Sequence, residues 1–132
     1  MSVGILIITH DGIGPSILGT TTLMMAACPL HTKLLTTDRD TTPDEFMGSA
    51  IELARELDTG DGVLVLTDLI GSTPNNIARQ LHEIVNVRIV TGLNLSMLIR
   101  VFNYPALGLE ELAGKAYSGG RDGIIIDMGN GN

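Results

Sequence analysis

Ile5-Leu6-Ile7-Ile8-Thr9-His10-Asp11-Gly12-Ile13-Gly14-Pro15 decides how the chain is read. Its opening residues are apolar and mostly β-branched, the types that fit a pleated, buried strand. A short apolar run bounded by turn residues marks a strand covered on both faces of a parallel sheet. This run ends in a histidine; the chain then turns through Gly12 and Gly14, and a helical pattern opens at Pro15. Proline is tolerated in a first helical turn because its missing N–H would have no intrahelical partner there. In open parallel sheets, ligands and chemistry collect just beyond the carboxyl ends of the strands. His10 is therefore the first candidate for a reacting group.

Outward from this stretch, strands and helices alternate. Strand one is Val3–Thr9, and helix one runs from about Pro15 to Ala27, stopping at Cys28-Pro29. Strand two, Thr32–Leu35, leads into a polar loop carrying Asp38, Arg39 and Asp40. Thr42-Pro43-Asp44-Glu45 is a capping box, and Phe46, Ala50, Ile51, Ala54 and Leu57 follow at helical spacing. Strand three is Val63–Thr67, and Thr73-Pro74 reads as a cap and first-turn proline of a helix reaching about Val85. Strand four is Val87–Val90, followed by helices over Leu95–Tyr104 and Leu109–Ser118, the latter closed by Gly119-Gly120. Ile124–Asp127 reads as a fifth strand before a polar, glycine-rich tail. The alternation predicts an α/β, three-layer domain with a mainly parallel sheet. Right-handed crossovers allow strands one and three to be neighbours with strand two outside, and the order expected is 2-1-3-4.

The bulk properties bound the function. A chain of 132 residues makes one domain, residues 1–132, and is too short for two. Charged residues make up 17%, below the usual quarter or so, which points to surface covered by another subunit. A net charge of −7 argues against nucleic acid and anionic membrane as partners and suits a basic protein surface. Cys28 is the lone cysteine, so no internal disulfide forms, and the chain enters its first strand without a leader-like segment; a cytoplasmic location is expected. No charge occurs between Asp11 and Lys33, but Gly12, Gly14, Pro15, Gly19 and Thr20 to Thr22 interrupt the run. A membrane span needs about 20 predominantly apolar residues. The stretch instead reads as a buried first helix, with Met24 and Met25 in its packing.

Three strand ends are polar: Thr9-His10-Asp11, Thr67-Asp68 and, soon after strand four, Asn94. Adjacent strands lie about 4.8 Å apart, which brings the Asp68 carboxylate within hydrogen-bonding reach of the His10 ring. A carboxylate on one ring nitrogen fixes the tautomer and leaves the other as a nucleophile. The Gly71-Ser72-Thr73-Pro74 turn opens a helix whose N–H groups, dipole and hydroxyls suit an anion. Together these suit phosphoryl transfer. Plainer readings stand beside that one: His10 as a polar loop residue, Asp68 as a turn cap, Ser72 and Thr73 as ordinary helix caps. Asp11 reads as a solvated turn residue, and His31 and His82 as surface residues. Gly12-Ile13-Gly14 begins a dinucleotide-like turn, but Ile17 stands at the third glycine's place and no P-loop lysine exists. Two other classes remain open. A flavodoxin-like nucleotide or flavin module would use the same strand ends, although the chain has no Trp, 2 Tyr and 2 Phe to stack on a ring system. A metal-dependent hydrolase would use His10, Asp11 and Asp68 and would need further ligands.

Taken together, the strand ending in Thr9-His10, the segment Val63–Asp68 with Gly71-Ser72-Thr73-Pro74-Asn75-Asn76, and Gly92-Leu93-Asn94-Leu95-Ser96-Met97-Leu98 resemble a known family. It is the mannose-type enzyme IIA component of the phosphoenolpyruvate-dependent sugar phosphotransferase system. Gly119-Gly120-Arg121-Asp122-Gly123 and the final strand are similar too. The resemblance implies that His10 accepts a phosphoryl group from the phosphocarrier HPr and passes it to a IIB partner, for uptake or for regulation. It implies that Asp68 holds the ring and that Gly71, Ser72 and Thr73 surround the phosphoryl group. It implies no metal and no cofactor, since the donor is itself a phosphohistidine. It also implies a homodimer in which the fifth strand is exchanged antiparallel onto the partner's sheet. The IIB partner, with membrane components IIC and IID, would lie on other chains and make the protein peripheral to the membrane when the complex forms. A variant feeding a dihydroxyacetone kinase fits Gly71-Ser72-Thr73-Pro74 less well. Ile70 stands where some members have an aromatic residue, and Ser72 where they have a second glycine.

Overall fold

The structure, a computed structural model, describes residues 2–129. Strands β1 (Gly4–His10), β2 (Thr32–Thr37), β3 (Val63–Thr67) and β4 (Val87–Thr91) form one parallel sheet in the order β2-β1-β3-β4. The expected α/β class and strand order are both found. Helices α1 (Ile13–Met25), α2 (Pro43–Leu57), α3 (Thr73–Gln80), α4 (Leu95–Phe102) and α5 (Leu109–Asp122) connect and cover the strands. A single 3₁₀ turn, Leu81–Glu83, ends the segment expected to stay helical to Val85.

The two central strands are apolar on both faces, and their alternation builds two cores. Ile5, Ile7, Leu64 and Leu66 pack with Leu98, Val101 and Phe102 of α4 and with Leu112 and Ala116 of α5. Leu6, Ile8, Val63 and Val65 pack with Phe46, Ala50, Ala54 and Leu57 of α2 and with Ile77 and Ala78 of α3. Helices therefore cover both faces, which leaves the carboxyl edge of the sheet as the open end. Thr42 caps α2 as expected, its hydroxyl accepting the Glu45 N–H at 3.2 Å, with Pro43 in the first turn. No reciprocal bond from the Glu45 carboxylate occurs among the described residues.

Two expectations are corrected. First, α1 is not buried: only Gly14 and Thr21 are fully covered, while Leu23 is 82% and Met24 62% exposed. Gly14, Ile17, Leu18, Thr21 and Met25 form the inward stripe. Helical periodicity chooses the buried face, and a lack of charge on the other face does not cover it. Second, Gly119-Gly120 does not end α5, which continues to Asp122. A Cβ at Gly119 would collide with the Arg100 side chain, and one at Gly120 would lie 2.9 Å from Met97 Cε. These glycines let α5 lie close against α4. Ile124–Asp127, expected as a strand exchanged onto a partner's sheet, leaves α5 with Ile124, Ile125 and Ile126 at 75%, 72% and 81% exposure. Its backbone has no strand partner among the described residues of this single chain. The glycine-rich tail beyond residue 129 lies outside the described residues.

The α4–α5 contact gives a prediction. Gly119→Leu should cost about 1–3 kcal/mol, the usual penalty of overpacking. Gly114, on the same helix with open space around it, should gain up to about 1 kcal/mol as Ala from helix propensity. Urea unfolding of both variants checks the opposite signs.

Candidate functional site

The site begins with a turn that three residues hold in shape. The Thr9 hydroxyl donates to the His10 carbonyl at 2.8 Å and accepts the Gly14 N–H at 2.8 Å. Gly14 permits this closeness, since a Cβ there would lie 2.9 Å from Thr9 Oγ1 and 3.0 Å from Ile7 Cγ2. Gly12 takes a left-handed conformation at φ 86°, open to glycine without the Cβ penalty. The end of β1 is thereby fixed, and His10 stands at the carboxyl edge with its side chain 47% exposed.

Parallel pairing of β1 with β3 sets Ile8 against Thr67, so the residue after Thr67 lies beside the end of β1. Asp68 uses a single carboxylate oxygen twice: Oδ2 accepts the His10 backbone N–H at 2.9 Å and meets His10 Nδ1 at 2.8 Å. The Asp68 side chain is only 8% exposed, and its Oδ1 is buried without a hydrogen-bond partner among the described residues. Burial by itself raises the Asp68 carboxyl pKa. The bonds from the His10 N–H and ring, with the ring's charge, outweigh it and hold the group below its ordinary 3.8. With Nδ1 donating to an ionised carboxylate, the neutral ring carries its proton on Nδ1. Nε2 is then left with a lone pair and, among the described residues, no partner.

Gly71, Ser72 and Thr73 follow Asp68 at the mouth of α3. Gly71 adopts φ 77°, and the N-cap of α3 is Ser72, with Thr73 and Pro74 inside the first turn. The expected Thr73 cap is thus shifted by one residue. Ser72 makes no side-chain cap bond, because its hydroxyl donates to the Leu69 carbonyl at 2.6 Å. That hydroxyl proton is already committed, and what the turn offers an anion is backbone N–H groups and the positive helix end. Among the described residues no hydrogen bond links Gly71, Ser72 or Thr73 to His10 or Asp68. Leu69 and Ile70, 59% and 72% exposed, give the loop an apolar outer surface.

Asn75 has a supporting role that sequence reasoning missed. It is buried, and its Oδ1 accepts the Thr67 hydroxyl at 3.1 Å, tying α3 to the end of β3. A polar residue at the third position of a helix resembles any solvated helical position, so only its burial reveals it. Asn94, by contrast, is structural. Its Oδ1 caps α4 through the Met97 N–H at 2.8 Å, and its Nδ2 donates to the Gly120 carbonyl at 3.1 Å. Asp11 is exposed and lines the same cavity as His10; His31 and His82 are exposed, as expected. No group of three or more His, Cys, Asp or Glu side chains suited to a metal ion occurs among the described residues. The hydrolase alternative therefore lacks a donor set. No described helix is long and apolar enough to cross a membrane.

Comparison with known proteins agrees with this arrangement. A sequence model of the family described as the PTS system fructose IIA component matches residues 4–114, and the chain belongs to that family. It is thereby a mannose-family IIA component of the sugar phosphotransferase system, a class that takes part in phosphoryl transfer during sugar uptake. The fold is shared with the mannose/sorbose-specific IIA subunit from Enterococcus faecalis, at 24% identity and TM-score 0.85 over 100% of both chains. The PTS IIA protein associated with the fucose utilization operon of Streptococcus pneumoniae is 27% identical, with TM-score 0.76 over 96% of both chains. The component EIIA of Streptococcus agalactiae is 24% identical, with TM-score 0.80 over 94% of this chain and 96% of that one.

The depressed Asp68 carboxyl has a consequence for stability. A group with a lowered folded-state pKa adds stability above its ordinary value, and that stability is lost as pH falls through the folded value. Unfolding free energy should therefore drop as pH falls below 3.8. The Asp68 share of that drop should vanish in Asp68→Asn. Denaturant melts of both proteins between roughly pH 6 and pH 2, spanning the carboxylate range, check the difference in slope.

Proposed function

We propose that His10 is the phosphoryl acceptor and that the group is carried on Nε2. The observation that carries this reading is the Nδ1–Asp68 contact at 2.8 Å on a half-exposed ring. The Nε2 lone pair attacks the phosphorus of a phosphohistidine on HPr. The new N–P bond forms as the donor's N–P bond breaks, and the donor imidazole leaves with that electron pair. His10 becomes a cationic N-phosphoimidazole whose Nδ1 proton stays on the bond to Asp68. The carboxylate stabilises the charge that develops, an electrostatic effect fixed before reaction. Transfer to a IIB partner repeats the same step with His10 as leaving group. Bonds of one kind are exchanged throughout, so the step calls for no metal or nucleotide.

Gly71, Ser72 and Thr73 are proposed to receive the phosphoryl oxygens through the α3 N-terminus. Leu69 and Ile70 would meet the partner protein beside it. Family membership puts the flavodoxin-like binding module second. The chain is also proposed to be a homodimer acting as one domain. Ile124, Ile125 and Ile126 are exposed, and β4 has an unpaired outer edge in the described sheet. Exchange of that segment onto a partner's β4 would cover both, as sheet edges otherwise invite pairing.

Incubation with phosphoenolpyruvate, enzyme I and HPr should add one acid-labile phosphate by intact mass to the wild type and none to His10→Ala. An unmodified wild type in the presence of phospho-HPr would end the carrier reading. Sedimentation at micromolar concentration should give twice the 14.0 kDa chain mass; a 14.0 kDa monomer would refute the dimer.

A further inference from the structure

We infer that Arg39 binds the phosphoryl group carried on His10, donating charge-assisted hydrogen bonds to its oxygens. This rests on the carrier reading above and names a residue of the same site on the side opposite α3. The β1–β2 register places His10 directly beside Thr37, so the chain leaving β2 passes the histidine at the height of its backbone. A cavity of about 620 Å³ there is lined by His10, Asp11, Thr37, Asp38, Arg39 and Asp40.

The loop is ordered by its own bonds. Asp38 Oδ1 accepts the Asp40 N–H at 2.8 Å, the Thr41 N–H at 2.9 Å and the Thr41 hydroxyl at 3.0 Å. That carboxylate is turned back into the loop and committed there, which leaves Arg39 at the bend. Arg39 forms no ion pair among the described residues, as is true of Lys33, Arg55, Arg79, Lys115 and Arg121, so its head group is not committed to a carboxylate. It is also the sole Lys or Arg among the described residues lining this cavity.

The charge balance makes the assignment specific. Asp11, Asp38 and Asp40 line the cavity and Asp68 stands behind His10, in a chain of net charge −7. A phosphoryl group on Nε2 would add up to two negative charges to that acidic setting. Without Arg39, no side-chain cation beyond the phosphoimidazole ring itself would offset them among the described residues lining the cavity. A guanidinium suits the task, since its planar fork matches two phosphate oxygens and it stays charged at every relevant pH.

The test uses Arg39→Gln and Arg39→Lys in the full chain, in a background of His31→Gln and His82→Gln that leaves His10 the one histidine, phosphorylated chemically by phosphoramidate and enzymatically by phospho-HPr. The ³¹P resonance of the chemically labelled protein reports the pH at which the phosphoryl group takes up its proton. Loss of an adjacent cation should raise that midpoint by roughly half a unit or more in Arg39→Gln, after allowance for solvent screening. Arg39→Lys should recover most of the shift. Phosphorylation by phospho-HPr should slow about tenfold in Arg39→Gln, the equivalent of one charge-assisted contact to the transferring group. A wild-type midpoint and rate in Arg39→Gln would overturn the assignment. A wild type labelled by phosphoramidate yet refusing phosphate from phospho-HPr would remove the carrier reading, while the titration still decides Arg39. A wild type labelled by neither would remove both.

Discussion

One carboxylate oxygen holds the site together. Asp68 Oδ2 takes both the backbone N–H and the ring Nδ1 of His10, so the histidine is fixed at its main chain and at its side chain by one partner. Two donors on one acceptor leave the imidazole little freedom to swing, and the second ring nitrogen is left without a partner among the described residues. The carboxylate is nearly buried and stays ionised because those bonds outweigh the cost of its burial. Nearly everything else in the fold bears on where these two residues stand.

The sheet order is what makes the contact possible. Strands β1 and β3 are neighbours although a strand and two helices separate them in sequence. Their carboxyl ends stop at almost the same height, through the pairing of Ile8 with Thr67. Thr9, Gly14 and Asn75 then lock the two loops that follow, by bonds that never touch the reacting ring. The same register logic on the other side of β1 brings Thr37 beside His10 and carries Arg39 into the cavity.

Much of this was legible in the residues. The strands themselves and the start of α2 follow from apolar runs and capping residues, and right-handed crossovers allow the β1–β3 pairing that brings His10 to Asp68. These are local patterns with one dominant physical cause each. What was misread involves competition between a local preference and its tertiary setting. Gly119 and Gly120 read as a helix stop, but close approach of α4 favours glycine inside a helix as much as a turn does outside one. The charge-free α1 read as buried, yet its stripe at positions 14, 17, 18, 21 and 25 covers the sheet and leaves Leu23 and Met24 outside. Ile124 to Ile126 are a different case: they carry strand-forming residues, and the propensity of a segment does not say which chain supplies its partner strand. Ser72 and Thr73 differ by one position in their capping role, within the ordinary uncertainty of helix ends.

The measurement that bears most directly on the site is the tautomer of His10 in the unphosphorylated protein. A long-range ¹H–¹⁵N correlation spectrum of the imidazole, recorded above neutral pH and compared with Asp68→Asn, reads it without any partner protein. A proton on Nδ1 with a bare Nε2 in the wild type, lost or mixed in Asp68→Asn, is the expected result. A wild-type ring protonated on Nε2 would contradict it, because the nitrogen assigned to receive phosphate would then hold the proton and lack the lone pair needed for attack.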